Sequence, residues 1–281
     1  MKPFCLLVPG LVLALILTGC AADAAMPAQP PEPSPAPAAE SAPPPAKAPV
    51  PVPVEAPTPS QAEPSQEPEE GDYFDNALFV GDSIMEGVRQ YVAARRQEGE
   101  ALGTAQFLTS TTGISLADLT GDREPGVQFS YKGEARPLED IVADIGPRRV
   151  FLLLGLNDLA SDPDPVVEDV VSRYTRLILN LRSACPGVEF IVITNPPKVA
   201  SQWLPDYTAN RNFGNALIGE FVDELKAICP EWNIEYVDAY EALKDENGAL
   251  PDDYCRDGFL HLNHRGASVV VDALEAFAGG R

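Results

Sequence analysis

Three side chains have the types that nucleophilic acyl chemistry needs: Ser83 in the first half of the chain, and Asp257 and His261 close together near its other end. A serine hydroxyl is a weak nucleophile until a base takes its proton. An imidazole can be that base when a carboxylate holds its tautomer and stabilises the imidazolium. The chain has two histidines, His261 and His264, and both lie in one short stretch near the C-terminus. Asp257, four residues before His261, is the expected acid, with Asp252 and Asp253 as other carboxylates within reach. His264 is the other candidate base, expected inside the last helix. Attack on a carbonyl creates an oxyanion, which calls for neutral donors aimed at it. The backbone N–H groups of Ser83 and Gly113 and the side-chain amide of Asn157 are the candidates, with Asp82, Gly155 and Asp158 beside them. Plainer roles exist for the same residues. Ser83-Ile84-Met85-Glu86 fits a capping box, and Asn157-Asp158 fits an Asx turn.

These residues act together only if the fold brings four separate stretches to one place. Apolar runs alternate with helical patterns along the chain, which predicts a parallel sheet covered on both faces. The expected strands are 77–81, 106–110, 149–154, 189–194 and 234–237, with a small inserted hairpin at 127–134. The expected fold is a single three-layer α/β/α domain with a mainly parallel five-stranded, flavodoxin-like sheet. Ser83 opens a helix directly after the first strand, and a short helix starts at Ser115. Pro137 stands near the start of another, at 137–145. Asp164 suits an N-cap with Pro165 at the first helical position, and that helix ends at Cys185-Pro186-Gly187. A polar loop with aromatic residues runs over 195–207, a helix follows to Ile228, and the last helix covers 263–277. Doubly wound sheets carry their sites at the carboxyl ends of their strands. Ser83, Gly113 and Asn157 each follow a strand there, and the Asp257–His261 stretch precedes the last helix.

At these positions the chain resembles the SGNH (GDSL-like) hydrolases. The match runs through Gly81-Asp82-Ser83, Gly113, Gly155-Leu156-Asn157-Asp158, and Asp257 with His261, in the family's order across the whole domain. The resemblance implies a serine nucleophile, a metal-free mechanism without a cofactor, and a small ester, thioester or acylated glycan as substrate. Some members of the family transfer acyl groups instead of hydrolysing them. Two positions depart from the pattern. Ile84 stands where the first block has leucine. Gly258 stands where the family places its acid, three residues before the base, so Asp257 is one residue further away. That spacing keeps open Asp252, Asp253 or a Ser–His dyad, and it is the feature that would suit a glycan-binding module with weak catalysis.

The remaining sequence bears on location. Met1-Lys2 is followed by an apolar core at 11–17 and then Leu17-Thr18-Gly19-Cys20, which resembles a bacterial lipobox with Cys20 as the lipidated residue. Residues 21–70 hold 16 of the 29 prolines and few large apolar side chains, the composition of a disordered linker. At ~3.1 Å per residue it would reach roughly 150 Å. A domain over 71–281, anchored to the cell membrane through lipid and facing outside the cytoplasm, is the expected arrangement. The net charge of −22 argues against nucleic acid as a partner. A monomer is expected. There is no P-loop, and two histidines are few for a zinc site. Cys185 and Cys229 fall at the same end of the sheet and leave a disulfide open, while Cys255 is expected near the site. Trp203, Tyr207 and Phe213 are candidates for stacking on a sugar ring, or for packing the loop down.

Overall fold

The computed structural model describes residues 71–281. The lipobox, Cys20 and the proline-rich stretch lie outside the described residues. Strand β1 (Ala77–Gly81) leads into α1 (Ser83–Glu98), and β2 (Gln106–Thr109) into the single turn α2 (Leu116–Leu119). The hairpin β3 (Phe129–Tyr131) and β4 (Glu134–Arg136) precedes α3 (Leu138–Ile145). Then come β5 (Arg149–Leu153), α4 (Leu156–Ser161), α5 (Val167–Ala184), β6 (Glu189–Ile193) and α6 (Asn215–Glu231). The chain closes with β7 (Glu235–Val237), α7 (Ala239–Leu243) and α8 (His264–Gly279).

The main sheet runs β2-β1-β5-β6-β7, with every pairing parallel. Without the hairpin this is the 2-1-3-4-5 order expected from the sequence. The order reverses between β1 and β5, so a crevice opens there at the strands' carboxyl ends. Strand β1 is buried at every residue, and β5 and β6 at all but their first, which explains their unbroken apolar runs. The edge strand β2 buries only Leu108. Phe79 stacks on Phe151 at 4.5 Å and on Phe107 at 5.0 Å, locking the three neighbouring strands in register. On α5, Tyr174 is fully buried and donates its hydroxyl to the Leu152 carbonyl at 2.9 Å, which ties that helix to β5.

Several boundaries differ from expectation. Helix α5 starts at Val167, not at Asp164. Asp162 Oδ1 takes the Asp164 N–H at 3.0 Å in an Asx turn, and Val166, just before the helix, is extended. Helix α6 starts late and runs through Cys229-Pro230 to Glu231, so the preceding loop extends to Gly214. That loop is irregular but pinned. Asn210 bonds the Leu159 and Ala160 carbonyls, and Asn215 brackets the backbone of Lys198 from both sides. The four- to six-residue helices α2, α4 and α7 are too short to carry a periodic signal. Cys185 and Cys229 are buried free thiols and form no disulfide.

Gly155 sets the start of α4. Its φ is +113°, and a Cβ there would sit 2.6 Å from the ring of the core residue Phe221. Gly155→Ala is expected to destabilise the domain by about 2–4 kcal/mol through backbone strain and overpacking. A urea unfolding midpoint unchanged from wild type would contradict this.

Candidate active site

The serine is exposed by what surrounds it. Strand β1 ends at Gly81, where a Cβ would lie 2.4 Å from Met85 Cβ and 2.8 Å from the Leu153 carbonyl, so only glycine lets α1 fold back this tightly. Asp82, not Ser83, caps α1: its Oδ1 accepts the Ile84 N–H at 2.9 Å. The capping box that Ser83 and Glu86 would also fit is therefore absent. The Glu86 carboxylate instead receives Arg89, Gln90 and Thr109, and the Arg89 guanidinium in particular holds it down at about 2. This leaves the Ser83 hydroxyl free. It lies 2.9 Å from His261 Nε2.

The Asp257–His261 spacing resolves through a small closed loop. Cys255 and Leu262 form an antiparallel bridge, Arg256 N–H donates to the His261 carbonyl at 2.8 Å, and Asn263 caps α8 just beyond. Within the loop, Gly258 adopts a left-handed φ of +70°, which absorbs the extra residue. Asp257 Oδ1 accepts the N–H groups of Phe259, Leu260 and His261 at 3.0–3.3 Å. That fixes the carboxylate, whose Oδ2 meets His261 Nδ1 at 2.5 Å. Burial alone would raise the Asp257 pKa. Hydrogen bonds from the imidazole, from Phe259 N–H and from the Cys255 thiol (3.3 Å) outweigh it and hold the group at about 2. Cys255 thus stands near the site, as expected. Two of the other candidates are engaged elsewhere. Asp253 pairs with Arg265, and His264 opens α8 with its ring edge-on to Tyr91.

The oxyanion candidates converge on the same crevice. Ser83 N–H is the first of α1 and has no intrahelical acceptor. Gly113, at φ +75°, presents an N–H that donates to no other backbone or side-chain group among the described residues. Asn157 and Asp158 open α4 rather than ending a strand in an Asx turn. Asn157 Nδ2 donates to the Ile114 carbonyl at 2.8 Å and faces Asp82 Oδ2 at 3.3 Å. Asp158 points the other way and accepts the N–H groups of Leu116 (2.7 Å) and Ala117 (3.0 Å), joining α4 to the first turn of α2, just beyond the loop that carries Gly113. Burial pushes the Asp158 carboxyl upward despite these bonds.

Ser83, Gly113, Asn157 and His261 line one cavity of about 500 Å³. Its apolar wall includes Leu156, Ala160, Phe259 and Leu260. Thr111, Thr112 and Ser161 also line it, and nothing in their spacing marks them in the sequence. Tyr207 also lines the cavity and is 69% exposed, and Trp203, 56% exposed, stands edge-on to Phe259 at 6.1 Å. Phe213 is 4% exposed and packs against Phe259 with ring centroids 5.8 Å apart, so it is a core residue and not a stacking candidate.

A serine at a strand-to-helix turn, an imidazole paired with a carboxylate, and candidate oxyanion donors, gathered at the switch point of a 2-1-3-4-5 sheet, are the arrangement of an ester-hydrolysing α/β enzyme. The chain belongs to the GDSL-like lipase/acylhydrolase family, whose sequence profile matches residues 79–269. Solved structures of similar fold include a protein from Streptococcus pneumonia named for platelet activating factor (21% identity, 72% of this chain and 83% of that chain, TM-score 0.54). A GDSL-like lipase from Bacteroides thetaiotaomicron VPI-5482 aligns at 15% identity over 73% of this chain and 87% of its own, with a TM-score of 0.53. An acetylxylan esterase from Geobacillus stearothermophilus aligns at 18% identity over 72% and 93%, with a TM-score of 0.50. No curated protein matches the sequence.

Proposed function

We propose that this chain is an extracytoplasmic, lipid-anchored serine esterase that removes acyl groups, O-acetyl foremost, from envelope carbohydrate. The observation that carries the catalytic part is the unbroken hydrogen-bonded series Ser83 Oγ, His261 Nε2, His261 Nδ1, Asp257 Oδ2. In this reading His261 Nε2 takes the Ser83 proton as Oγ attacks the ester carbonyl, while Asp257 holds Nδ1–H and stabilises the imidazolium. The negative oxygen of the tetrahedral intermediate is received by Ser83 N–H, Gly113 N–H and the Asn157 amide. Collapse expels the alcohol, which takes its proton from Nε2 and leaves the acyl group on Ser83. Water, activated by the same imidazole, then releases the acid and restores the serine. The one-residue longer spacing that suited a binding module without efficient catalysis does not interrupt the Asp257–His261 contact, which favours the enzyme.

The anchor and the outward location rest on the lipobox pattern at Cys20 and the proline-rich tether. No helix among the described residues is long and apolar enough to cross a membrane. Carbohydrate as substrate is supported by Tyr207 and Trp203, two aromatic rings left exposed where Phe213 is buried. A ring face in water beside a cavity suits the apolar face of a sugar. The acetylxylan esterase among similar folds is consistent with this, and acyl transfer and lysophospholipid cleavage are the alternatives of the same fold. The test is acetate release from acetylated xylan and from O-acetylated peptidoglycan, against hydrolysis of a short-chain aryl acetate. Tyr207→Ala and Trp203→Ala are expected to lower kcat/KM on the polysaccharide about tenfold, as loss of one or two stacking contacts implies, and to change the aryl ester less than twofold. Equal effects on both substrates would refute the sugar platform, and turnover of lysophospholipid alone would replace it.

A further inference from the structure

Asp82 is 1% exposed, and it touches both halves of the site. Its Oδ1 accepts the Ile84 N–H and so fixes the first turn of α1, where Ser83 sits. Its Oδ2 faces Asn157 Nδ2 on α4. A cap needs only one of these oxygens. The second contact spans 75 residues and joins the element that carries the nucleophile to the one that carries an oxyanion donor.

We infer that Asp82 is a positioning residue for the oxyanion hole, holding the Asn157 amide with its nitrogen toward the reacting oxygen. The inference rests on the esterase reading above. The terminal torsion of an asparagine is broad and nearly two-fold, so an unsupported amide can turn its oxygen inward, and an oxygen there would repel the oxyanion. Two acceptors on the same nitrogen, the Ile114 carbonyl and Asp82 Oδ2, exclude that orientation. They are unequal. The contact to Ile114 is 2.8 Å and that to Asp82 is 3.3 Å, so the hydrogen facing Asp82 is the one more easily released to the oxyanion as charge develops.

The protonation of Asp82 bears on the same contact. Burial, and to a smaller extent the Asp158 carboxylate, push it up to about 7 against the pull of Ile84 N–H. The titratable groups facing it are Asp158 on α4 and the Tyr174 phenol on α5. Once ionised, Asp82 grips the amide hydrogen harder and sets a buried negative charge beside the oxyanion. Both effects oppose the transition state, so kcat is expected to fall as pH rises through neutrality.

The experiment compares wild type, Asp82→Asn, Asn157→Ala and the double variant, all as the full chain, on a short-chain aryl acetate, with melting curves for each. Asparagine retains a side-chain oxygen to cap Ile84 N–H, but it sets an NH₂ group against that of Asn157. Asp82→Asn is expected to lower kcat about tenfold with KM within twofold, because a turned Asn157 amide weakens the oxyanion contact of the transition state and leaves substrate binding alone. Asn157→Ala is expected to lower kcat about 10²–10³-fold, and the double variant no further, because Asp82 acts through Asn157. The alkaline decline of kcat is expected to vanish in Asp82→Asn. A wild-type kcat in Asp82→Asn, or an Asp82→Asn effect of the same size with and without Asn157, overturns the inference and leaves the esterase standing. Wild-type turnover no greater than that of Ser83→Ala overturns both.

Discussion

Ser83→Ala is expected to lower kcat on a short-chain ester by about 10⁵–10⁶-fold, the scale seen when the nucleophile of a triad is removed. The residual rate would come from the oxyanion donors and substrate binding alone, since neither depends on the hydroxyl. The fold should not notice the change. Asp82 supplies the cap of α1, and the Ser83 Oγ has His261 Nε2 as its partner, so alanine removes one partly exposed hydrogen bond and no packing. The melting temperature should stay within about 2 °C, as expected for a loss under 1 kcal/mol in a domain of this size. Steady-state kinetics with a melt on the same preparation checks both halves. A Ser83→Ala variant that turns over at a tenth of the wild-type rate would mean that another group attacks the ester.

The second large effect concerns the acid. Asp257→Asn is expected to lower kcat by about 10⁴-fold, the magnitude found when a triad carboxylate becomes an amide and the histidine takes the wrong tautomer. The loop around it should hold, because asparagine can still accept the N–H groups of Phe259, Leu260 and His261. What changes is the atom facing His261 Nδ1. If an amide nitrogen stands there, Nδ1 becomes the acceptor, Nε2 carries the hydrogen, and Nε2 can no longer take the Ser83 proton. The carboxylate itself is robust to pH. Its folded pKa is depressed from 3.8 to about 2, so the stability it contributes is present above about 4 and is lost as pH falls toward 2. Unfolding measured across that window should show wild type losing stability on acidification and Asp257→Asn losing less. A variant with at least a tenth of wild-type kcat would show that His261 works as half of a dyad.

Much of this architecture was legible in the sequence, and what escaped has physical causes. The strands stood out because β1, β5 and β6 are covered on both faces and read as continuous apolar runs. The parallel sheet followed from the alternation of strands and helices. The four site stretches could be placed because each adjoins a strand end or the last helix. The Asp257–His261 contact could not be read, since it depends on Gly258 taking a left-handed φ and on three backbone donors gathering on one oxygen. The identity of the α1 cap was equally hidden. Asp82 and Ser83 are both good caps by type, and the choice is made by His261, 178 residues away, which engages the serine. The same limit applies to the aromatic residues. Nothing in the loop's composition separates Phe213, buried against Phe259, from Tyr207, open at the cavity.

Ser83 acting as a nucleophile activated by His261 and Asp257 is the central claim. A fluorophosphonate that forms a covalent adduct with activated serines tests this without knowledge of the natural substrate. Incubation of the full chain followed by peptide mass analysis should give one adduct, on the peptide that contains Ser83. Ser83→Ala should give none, and Asp257→Asn should be labelled at least 100-fold more slowly. An adduct on another residue, or labelling of Ser83→Ala at the wild-type rate, would contradict the account.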